Sequence, residues 1–370
     1  VCAPHANQFI DPSLVMVTTR KLSRYDKSRQ VCFVTAESSL KKKFVSLFGR
    51  STGSIPVPRA QDNLKFVDSR IKIYCPDFND ATLIKGKFES KDLPGFTELF
   101  KPKSLIGLPN YLGNAQIAEI IDNETLRLSS AFKYKTNEKI KTLLTEGTNF
   151  KYAEKIDNSK VFQNVFNHLH TKGCVGIFPE GGSHDRPSLL PIKAGVAIMA
   201  LGATAADPSM KVAVVPCGLH YFHRDKFRSR AVLEYGEPII VDGEMGKRYR
   251  EKPRETVSEL LKTVTDSLYA VTENAPDFET LMTIQAARRL YQPLRNKLAL
   301  PLIVEVNRRL LFGYSKYKDD PRIINLKEMV LAYNKNLDSL GLKDHQVEEL
   351  KTETKEVIRC LFTLLFRVSR

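Results

Sequence analysis

The sequence contains no tryptophan in its 370 residues and no run of 18 consecutive apolar residues. Because a membrane-spanning helix needs about 20 mostly apolar residues, we expect no segment of this chain to cross a bilayer by itself. No signal-peptide pattern is present either. The missing tryptophan and the lack of aromatic residues interleaved with basic ones argue against a nucleic-acid-binding protein.

The six cysteines are scattered and form no C-x-x-C pair, so we expect them to be reduced and mostly buried. No G-x-x-x-x-G-K-[ST] loop and no G-x-S-x-G turn occurs, which excludes P-loop nucleotide hydrolysis and a nucleophile-elbow hydrolase. The pairs His168/His170 and His220/His223 have metal-like spacing but no accompanying cluster of cysteines or carboxylates. We therefore expect no metal site.

The composition is that of an ordinary globular protein, with 42% hydrophobic and 27% charged residues. The 57 Lys and Arg outnumber the 42 Asp and Glu, which leaves a formal charge of +15. This excess favours an anionic partner: a nucleic acid, an acidic membrane surface or a phosphorylated metabolite. Charge alone does not choose among the three.

The first 150 residues change character along the chain. Residues 13–20 and 31–35 are short, β-branched and predicted to be strands, whereas residues 38–48 have helical spacing. From about residue 71 to residue 150, turn signals separate strand-like stretches at 71–75, 81–84, 104–106 and 125–128. We interpret residues 71–150 as a β-rich insertion that contributes no catalytic group, since no histidine occurs between Asp11 and Asn167.

Helices and strands alternate after the insertion. A helix is predicted at 157–172, capped by Asn158 or Ser159 and ended by Gly173, and a buried strand at 174–178. A helix at 194–205 and strands at 211–215 and 231–235 follow, and the chain is helical from Glu255 onward. The predicted fold class is α/β: a mixed, largely parallel sheet flanked by helices, with the β-rich insertion and a helical C-terminal region.

These patterns predict a core of residues 1–70 and 151–250, the insertion at 71–150, and the helical region at 251–370. The chain begins at Val1 rather than at a methionine and ends just after the apolar residues 360–366. We therefore expect membrane segments to lie outside this sequence, with the helical region leading toward one of them.

The first candidate site pairs His5 with Asp11. A histidine whose second ring nitrogen is held by a carboxylate accepts a proton from a hydroxyl at neutral pH, because the carboxylate fixes the tautomer and stabilises the imidazolium. The two side chains meet only if the intervening turn folds back, which Pro12 permits. The alternative is a loop histidine that lies near a loop aspartate without any catalytic function.

The second candidate is Arg59, at the end of a Gly-Ser-Ile-Pro-Val-Pro segment that begins at Gly53. Two prolines stiffen an extended chain, which is suited to holding a guanidinium for bidentate contact with a phosphate. An exposed arginine in a turn is the alternative.

The third candidate follows the buried strand 174–178, in the sequence Phe-Pro-Glu180-Gly181-Gly182-Ser-His-Asp. Ligands of α/β sheets bind beyond the carboxyl ends of strands, and two glycines let backbone N–H groups approach an anion. Glu180 is costly to bury there unless it has a partner. Lys193 then precedes a helix, where a lysine and free N–H groups form a phosphate cradle. A plain strand-to-helix turn is the alternative.

Taken in order, His5 to Asp11, the segment that ends at Arg59, the Glu180-Gly181-Gly182 segment and Val214-Val-Pro-Cys217 resemble the four motif blocks of the glycerolipid acyltransferase family. The sequence around these blocks is similar to that of the fungal endoplasmic-reticulum acyltransferases of glycerol 3-phosphate and dihydroxyacetone phosphate. The motif-bearing part covers about residues 1–240, and the long insertion is also similar to that fungal branch.

The resemblance implies that His5 deprotonates the sn-1 hydroxyl of glycerol 3-phosphate, which attacks acyl-CoA directly, and that Asp11 orients His5. No cofactor is implied. The family pattern has four residues between the histidine and the aspartate, whereas this chain has five. The third block also lacks a frequent arginine. The groups implied for the acceptor's phosphate and glycerol are therefore Arg59, Glu180, Gly181, Gly182, Arg186 and Lys193.

The long acyl chain implies a membrane surface as the place of work, because each buried methylene contributes about 0.8 kcal/mol. Head groups or CoA phosphates are candidates for contact with Lys226, Arg228 and Arg230, although a solvated basic loop explains them equally. The implied location is the endoplasmic-reticulum membrane, with the catalytic part facing the cytosol. Two rivals are a lysophospholipid (lysophosphatidate) acyltransferase of the same family and a non-catalytic phospholipid-binding protein, against which both His5 and Asp11 argue.

Overall fold

The structure is a computed structural model that describes residues 1–22, 30–41, 43–155, 161–222, 229–291, 298–348 and 354–368. The chain divides into two compact units. The first contains Val1–Val31 and His168–Arg370, and the second contains Cys32–Asn167. We describe each unit by itself.

The described strands are, in chain order, β1 Cys2–Ala3, β2 Val31–Ala36, β3 Ile55–Val57, β4 Lys65–Phe66, β5 Ile71–Tyr74, β6 Leu83–Phe88, β7 Leu105–Gly107, β8 Asn114–Ile120, β9 Thr125–Leu128, β10 Lys151–Ala153, β11 Cys174–Gly176, β12 Val212–Val214, β13 Cys217–Tyr221, β14 Ala231–Tyr235 and β15 Ile239–Val241.

The described helices are α1 Ile10–Leu22, α2 Glu37–Leu40, α3 Lys43–Ser51, α4 Phe96–Leu99, α5 Glu138–Glu146, α6 Gln163–His170, α7 Gly195–Ala206, α8 Gly243–Glu251, α9 Pro253–Ala270, α10 Phe278–Tyr291, α11 Leu300–Tyr317, α12 Pro321–Leu340, α13 Asp344–Glu348 and α14 Thr354–Val368.

The second unit is built on a seven-stranded sheet in the order β4-β10-β7-β8-β9-β6-β5. Every strand pair given for this sheet is antiparallel. Its core is closed by large buried side chains such as Ile84, Phe96 and Phe150, each fully buried. The sheet starts at Lys65 and ends at Ala153, so it extends past residues 71–150 at both ends. This β-rich part of the chain is thus an antiparallel sheet with its own core.

Strand β8 is the one long strand of this sheet that the sequence pattern did not predict. Its side chains alternate between exposed and buried, with Ala115 and Ile117 inward and Gln116 outward. Ala115 and Ile117 face the core, and Ile120 packs against it out of the period-2 pattern, because the pairing register shifts between Ile117 and Glu119. The period-2 signal is therefore too weak to separate this strand from a polar loop.

The first unit combines parallel and antiparallel strand pairs, so the predicted mixed α/β class is confirmed. Strand β1 runs parallel to β13, with Cys2 opposite Cys217, and β13 runs antiparallel to β14. Helix α7 is buried along most of its length, which fits its sequence of small and apolar residues and explains why it was readily predicted. Strand β1 ends two residues before His5. Its pairing with β13 therefore fixes the position of the main chain that leads into His5.

The prediction of a strand at 13–20 was wrong, because helix α1 covers these residues. The Asn7 side chain accepts hydrogen bonds from the N–H groups of Phe9 and Ile10 at 3.0 and 3.1 Å and starts the helix. Pro12 lies in the first turn, where a missing N–H costs nothing. The Thr18 hydroxyl donates back to the carbonyl of Leu14 at 2.8 Å. The cap outweighs the strand preference of the β-branched residues.

The remaining predicted elements agree closely with the structure. Helix α6 starts at Gln163, and the candidate caps Asn158 and Ser159 lie outside the described residues. The predicted helical C-terminal region is confirmed by helices α9 to α14. Among the residues that the structure describes, no helix is long and apolar enough to span a bilayer.

Candidate active site

The structure brings His5 and Asp11 into direct contact. The His5 Nδ1 lies 2.9 Å from Asp11 Oδ2. Because the ionised carboxylate only accepts, the ring donates from Nδ1, which leaves the lone pair on Nε2. The His5 side chain is 12% exposed, whereas the Asp11 side chain is fully buried. This is the arrangement of a general base with an orienting carboxylate.

The turn before α1 explains how five intervening residues still allow this contact. Asp11 lies in the first turn of the helix and points back along the chain. Its Oδ2 accepts hydrogen bonds from the N–H groups of Ala6 at 2.8 Å and Asn7 at 2.9 Å. The carboxylate therefore closes the turn around itself, and the same oxygen that holds the loop holds His5.

The second oxygen of Asp11 is bonded to a residue that the sequence did not single out. The hydroxyl of Tyr221, at the end of β13, donates to Asp11 Oδ1 at 2.5 Å. Its sequence separation of 210 residues hides this partnership from any local pattern. With Tyr221, the buried carboxylate has four donors, and such pairing makes burial of its charge tolerable.

Glu180 holds the main chain of His5 in place. The His5 N–H donates to Glu180 Oε1 at 3.0 Å, and the His5 carbonyl accepts from the N–H of His184 at 2.9 Å. The His5 ring also stacks on Phe178, with centroids 4.0 Å apart and an interplanar angle of 16°. The first and third motif blocks thus meet, a contact that the sequence did not predict, and the third block supports the imidazole of the first.

The partners that make burial of Glu180 tolerable are now visible. Besides the His5 N–H, the carboxylate accepts from the N–H of Leu190 at 2.9 Å and from the Nε2 of His184. The His184 Nδ1 accepts from the N–H of Arg186 at 3.1 Å, so the ring donates from Nε2. The i,i+4 spacing of Glu180 and His184 after a strand was a usable signal for this pair. Contact of Glu180 with the acceptor stays a prediction.

Gly181 and Gly182 have different structural roles. Gly181 has φ +75°, and a side chain there would collide with the side chain of Lys193. Its N–H donates to the carbonyl of Phe178 at 3.2 Å. Gly182 is exposed, and a Cβ built on it would meet nothing within 4 Å. The exposed side chain of Lys193 lies against Gly181, so a cation is present beside the third block.

Arg59 belongs to the other compact unit, and its guanidinium is already engaged. It makes a bidentate pair with Asp62, in which both N–O distances are 2.9 Å, and the arginine side chain is 41% exposed. Its Nη2 also lies 3.4 Å from the hydroxyl of Ser38. A phosphate at Arg59 would therefore have to share or displace the Asp62 carboxylate, and phosphate binding there stays a prediction.

The other predicted cations divide into two groups. Arg186 and Arg230 are exposed, whereas Lys226 and Arg228 lie outside the described residues. Within the parts of the chain that the structure describes, no group of three or more His, Cys, Asp or Glu side chains could hold a metal ion.

Strands β13 and β14 each carry one group whose pKa is raised. Contact with Cys2 and burial both raise the pKa of the Cys217 thiol, and burial raises the pKa of Tyr235 to about 12. The Tyr235 hydroxyl lies 3.2 Å from the Thr18 hydroxyl and not at Asp11. Tyr221 and Tyr235 are thus two tyrosines of one sheet, of which only the first is bonded to the dyad.

Two family models match this chain. One, described as "Acyltransferase", matches residues 131–220, and the other, described as "Glycerol-3-phosphate acyltransferase 2 C-terminal domain", matches residues 283–370. The first match includes Glu180 to Lys193 and Tyr221's strand up to residue 220, but not His5, Asp11 or Arg59. No solved structure matches the chain.

Three fungal proteins are similar to it. Glycerol-3-phosphate O-acyltransferase 2 of Saccharomyces cerevisiae is 67% identical over 100% of this chain and 50% of its own length. Glycerol-3-phosphate O-acyltransferase 1 of the same yeast is 45% identical over 98% of this chain and 46% of its own length. An uncharacterised acyltransferase of Schizosaccharomyces pombe is 42% identical over 95% of this chain and 50% of its own length.

The chain thus spans about half the length of the curated relatives that it matches. The identity of 67% over the whole chain shows the family, and the acyltransferase model matches the part of the chain that contains the third motif block. The predicted resemblance is confirmed: the chain belongs to the glycerolipid acyltransferase family.

Proposed function

We propose that this chain transfers a fatty acyl group from an acyl-CoA to the sn-1 hydroxyl of glycerol 3-phosphate, giving lysophosphatidate, and that dihydroxyacetone phosphate is a second acceptor. The observation that carries the proposal is the 2.9 Å contact of His5 Nδ1 with Asp11 Oδ2, which leaves Nε2 as a base. The names of the two yeast relatives, both glycerol-3-phosphate O-acyltransferases, support glycerol 3-phosphate as the acceptor.

The first step is removal of the hydroxyl proton by His5 Nε2. Asp11 keeps the proton on Nδ1, so the ring presents one tautomer and becomes an imidazolium that the carboxylate stabilises. A base of this kind contributes on the order of 10²–10⁴ in rate. Glu180 and Phe178 act earlier, because they hold the main chain and the ring of His5 before substrate arrives.

The second step is attack of the alkoxide oxygen on the thioester carbonyl carbon. The carbonyl oxygen takes the negative charge of the tetrahedral intermediate, and donors placed at that oxygen would lower the barrier. When the intermediate collapses, the C–S bond breaks and the proton held on His5 Nε2 passes to the CoA sulfur. The products are the acyl ester and free CoA, and no covalent acyl-enzyme is needed.

The acceptor phosphate requires cations near the third block. Lys193 crosses Gly181 and Arg186 follows His184, so both belong to the segment that contacts His5. Together with the backbone at Gly181 and Gly182 we assign them to the phosphate and glycerol, with Glu180 as their support. Charge-assisted hydrogen bonds contribute about 1.5–3 kcal/mol each, which makes the phosphate the best handle on so small a substrate.

The proposed place of work is the cytosolic face of the endoplasmic-reticulum membrane, where acyl-CoA and the lipid product partition. The formal charge of +15 supports an anionic surface as a partner, and Arg230 is an exposed cation of the basic segment. A membrane-bound location in the cell would be tested by fractionation of the natural full-length protein.

The test is an acyl transfer assay with radiolabelled acyl-CoA and three acceptors in parallel: glycerol 3-phosphate, dihydroxyacetone phosphate and lysophosphatidate. We expect transfer to the first two. Preparations that carry His5→Ala serve as the control for host enzymes. Transfer to lysophosphatidate alone would replace the proposal with the lysophospholipid reaction, and binding of phospholipid without transfer would make the chain non-catalytic.

A further inference from the structure

His184 follows the two glycines of the third motif block, in the loop between strand β11 and helix α7, and it has no part in the acyl transfer steps. Its side chain is 9% exposed. Both ring nitrogens have partners: Nε2 donates to Oε2 of Glu180, and Nδ1 accepts from the N–H of Arg186 at 3.1 Å. The main-chain N–H of His184 also donates to the carbonyl of His5 at 2.9 Å. One histidine therefore contacts three residues of the proposed site.

The contact at Nε2 acts on the general base through Glu180. The Glu180 side chain is fully buried, and its Oε1 accepts from the N–H of His5 at 3.0 Å. The other oxygen, Oε2, accepts from His184 and from the N–H of Leu190 at 2.9 Å. A carboxylate that is bonded at both oxygens has a fixed plane. Without the His184 donor, Oε2 would keep one partner, and the oxygen that holds His5 would be placed less firmly.

The contact at Nδ1 acts on an exposed cation. Nδ1 accepts the main-chain N–H of Arg186, the residue whose guanidinium we assign to the acceptor phosphate. Arg186 also lines a cavity of about 740 Å³, whose other walls include Pro4, Tyr221 and residues of helices α10 and α11. Pro4 precedes His5, so Arg186 and a chain neighbour of the general base line the same space.

The two contacts require one protonation state of the ring. A main-chain N–H only donates, so Nδ1 must carry a lone pair to accept from Arg186. An ionised carboxylate only accepts, so Nε2 must carry the proton. This tautomer is the opposite of that of His5, which carries its proton on Nδ1 and keeps Nε2 for the substrate. Because the lone pair of His184 is already used, this ring is not a second general base.

We propose that His184 is a positioning residue that ties the general base to the cation for the acceptor phosphate, with Nε2 acting on His5 through Glu180 and Nδ1 acting on Arg186. The inference rests on the proposed function, from which it takes the roles of His5 and Arg186. It adds that one imidazole fixes both ends of the acceptor, the hydroxyl that loses its proton and the phosphate. Both groups belong to one short carbon skeleton, so the groups that bind them must keep a constant separation.

Two substitutions separate the two contacts. The Oδ1 of asparagine takes nearly the place of the ring Nδ1, so His184→Asn keeps an acceptor for Arg186 and loses the donor to Glu180. The Nε2 of glutamine takes nearly the place of the ring Nε2, so His184→Gln keeps the donor and loses the acceptor. His184→Asn should lower kcat about three- to tenfold, with the KM for glycerol 3-phosphate within about twofold. His184→Gln should raise that KM about three- to tenfold, with kcat within about twofold.

A double variant tests whether the Nδ1 contact acts through Arg186. If it does, adding His184→Gln to Arg186→Ala raises the KM for glycerol 3-phosphate no further, because changes within one chain of contacts are not additive. The matched control is His170, which also pairs with a carboxylate, that of Asp207 at 3.3 Å, but is exposed on the same unit. His170→Asn and His170→Gln should leave both constants within about twofold.

Thermal melting checks that each variant is folded. Equal changes of kcat and KM in His184→Asn and His184→Gln would overturn the inference, because a merely structural role does not distinguish the two ring nitrogens. Wild-type kinetics in either variant, an additive rise of KM in the double variant, or failure of both single variants to fold would also overturn it. If wild type acylates glycerol 3-phosphate and only the split is missing, the inference fails alone. If wild type acylates no acceptor, the proposed function fails, and the inference with it.

Discussion

The Tyr221 hydroxyl donates to Oδ1 of Asp11, the carboxylate oxygen that does not contact His5. The two oxygens of one carboxylate are thus bonded to different side chains, a phenol at the end of β13 and an imidazole that follows β1. The bond draws negative charge toward Oδ1, and it also fixes the carboxylate plane so that Oδ2 faces the ring. Tyr221 is therefore a positioning residue, and its loss should lower the rate of the reaction without removing the base.

Tyr221→Phe should lower kcat/KM about three- to tenfold, because the Asp11 carboxylate loses the hydrogen bond that fixes its plane toward the imidazole. The matched control is Tyr235→Phe, because that hydroxyl lies at Thr18 in the same sheet. Equal kcat/KM values for wild type and Tyr221→Phe would limit Tyr221 to packing.

His5→Ala should reduce turnover at least about 100-fold and leave the fold intact, because the lost group is a base in a turn and not a core side chain. Asp11→Asn should also lose most of the rate, because an amide cannot hold the imidazole as the carboxylate does. Turnover is measured with glycerol 3-phosphate on purified protein. Retention of more than about a tenth of wild-type turnover by His5→Ala would disprove the base assignment.

Glu180→Gln should lower both stability and activity. The carboxylate accepts three hydrogen bonds, whereas an amide offers one oxygen and turns its NH₂ group toward N–H donors. We expect a loss of about 1–3 kcal/mol in the free energy of unfolding and at least about a tenfold fall in kcat. Urea unfolding and kinetics measure the two. Exposed Glu237→Gln is the control, and equal behaviour of both variants would remove Glu180 from the support of His5.

Gly181→Ala and Gly182→Ala form a matched pair. The first places a side chain at φ +75° and against Lys193, which costs about 1–2 kcal/mol and displaces the lysine. The second meets open space. Thermal melting should therefore show a Tm lower by several degrees for Gly181→Ala alone, together with a higher KM for glycerol 3-phosphate. An unchanged KM would separate Lys193 from the acceptor phosphate.

Arg59→Ala should raise the KM for glycerol 3-phosphate more than that for acyl-CoA, with a loss of about 1.5–3 kcal/mol, or about ten- to 150-fold in kcat/KM. Arg59→Lys should rescue only in part, because a point charge cannot reproduce a bidentate contact. Asp62→Asn separates the two roles, since it breaks the bidentate pair but keeps the guanidinium. If Asp62→Asn reproduced the full effect, the arginine would act through its loop and not on phosphate.

The predictable parts of this molecule are those with a local cause. Helix α7 is apolar all round, and the residues after Glu255 have many Lys and Glu at i,i+4 spacing, so local patterns alone indicated these helices. Helix α1 was missed because its β-branched residues favour a strand, and the Asn7 cap that decides the matter is a single side chain. His5 and Asp11 were found because both lie in one short turn.

The rest of the site depends on contacts between distant segments. Nothing near Tyr221 indicates that its hydroxyl reaches Asp11, and the bond exists only because β1 pairs with β13. Asp62 lay three residues from Arg59 and could have been recognised as its partner by i,i+3 spacing. The cavity lined by residues of α10 and α11 forms only when these two helices pack, so no local sequence pattern could indicate it.

The pairing of β1 with β13 also sets a time at which the protein can first act. Cys2 and Ala3 lie opposite Cys217 and Gly218, so the opening strand cannot pair with β13 until more than 200 further residues have been synthesised. Its earlier backbone partner is Ile177, whose carbonyl accepts from the Cys2 N–H at 2.9 Å. At about 5–20 residues per second, the interval is roughly 10–40 s. Asp11 lacks the phenol of Tyr221 throughout this interval, whereas Phe178 and Glu180 become available to His5 about 40 residues earlier than Tyr221. The full set of contacts around His5 and Asp11 can therefore form only after β13 has been synthesised.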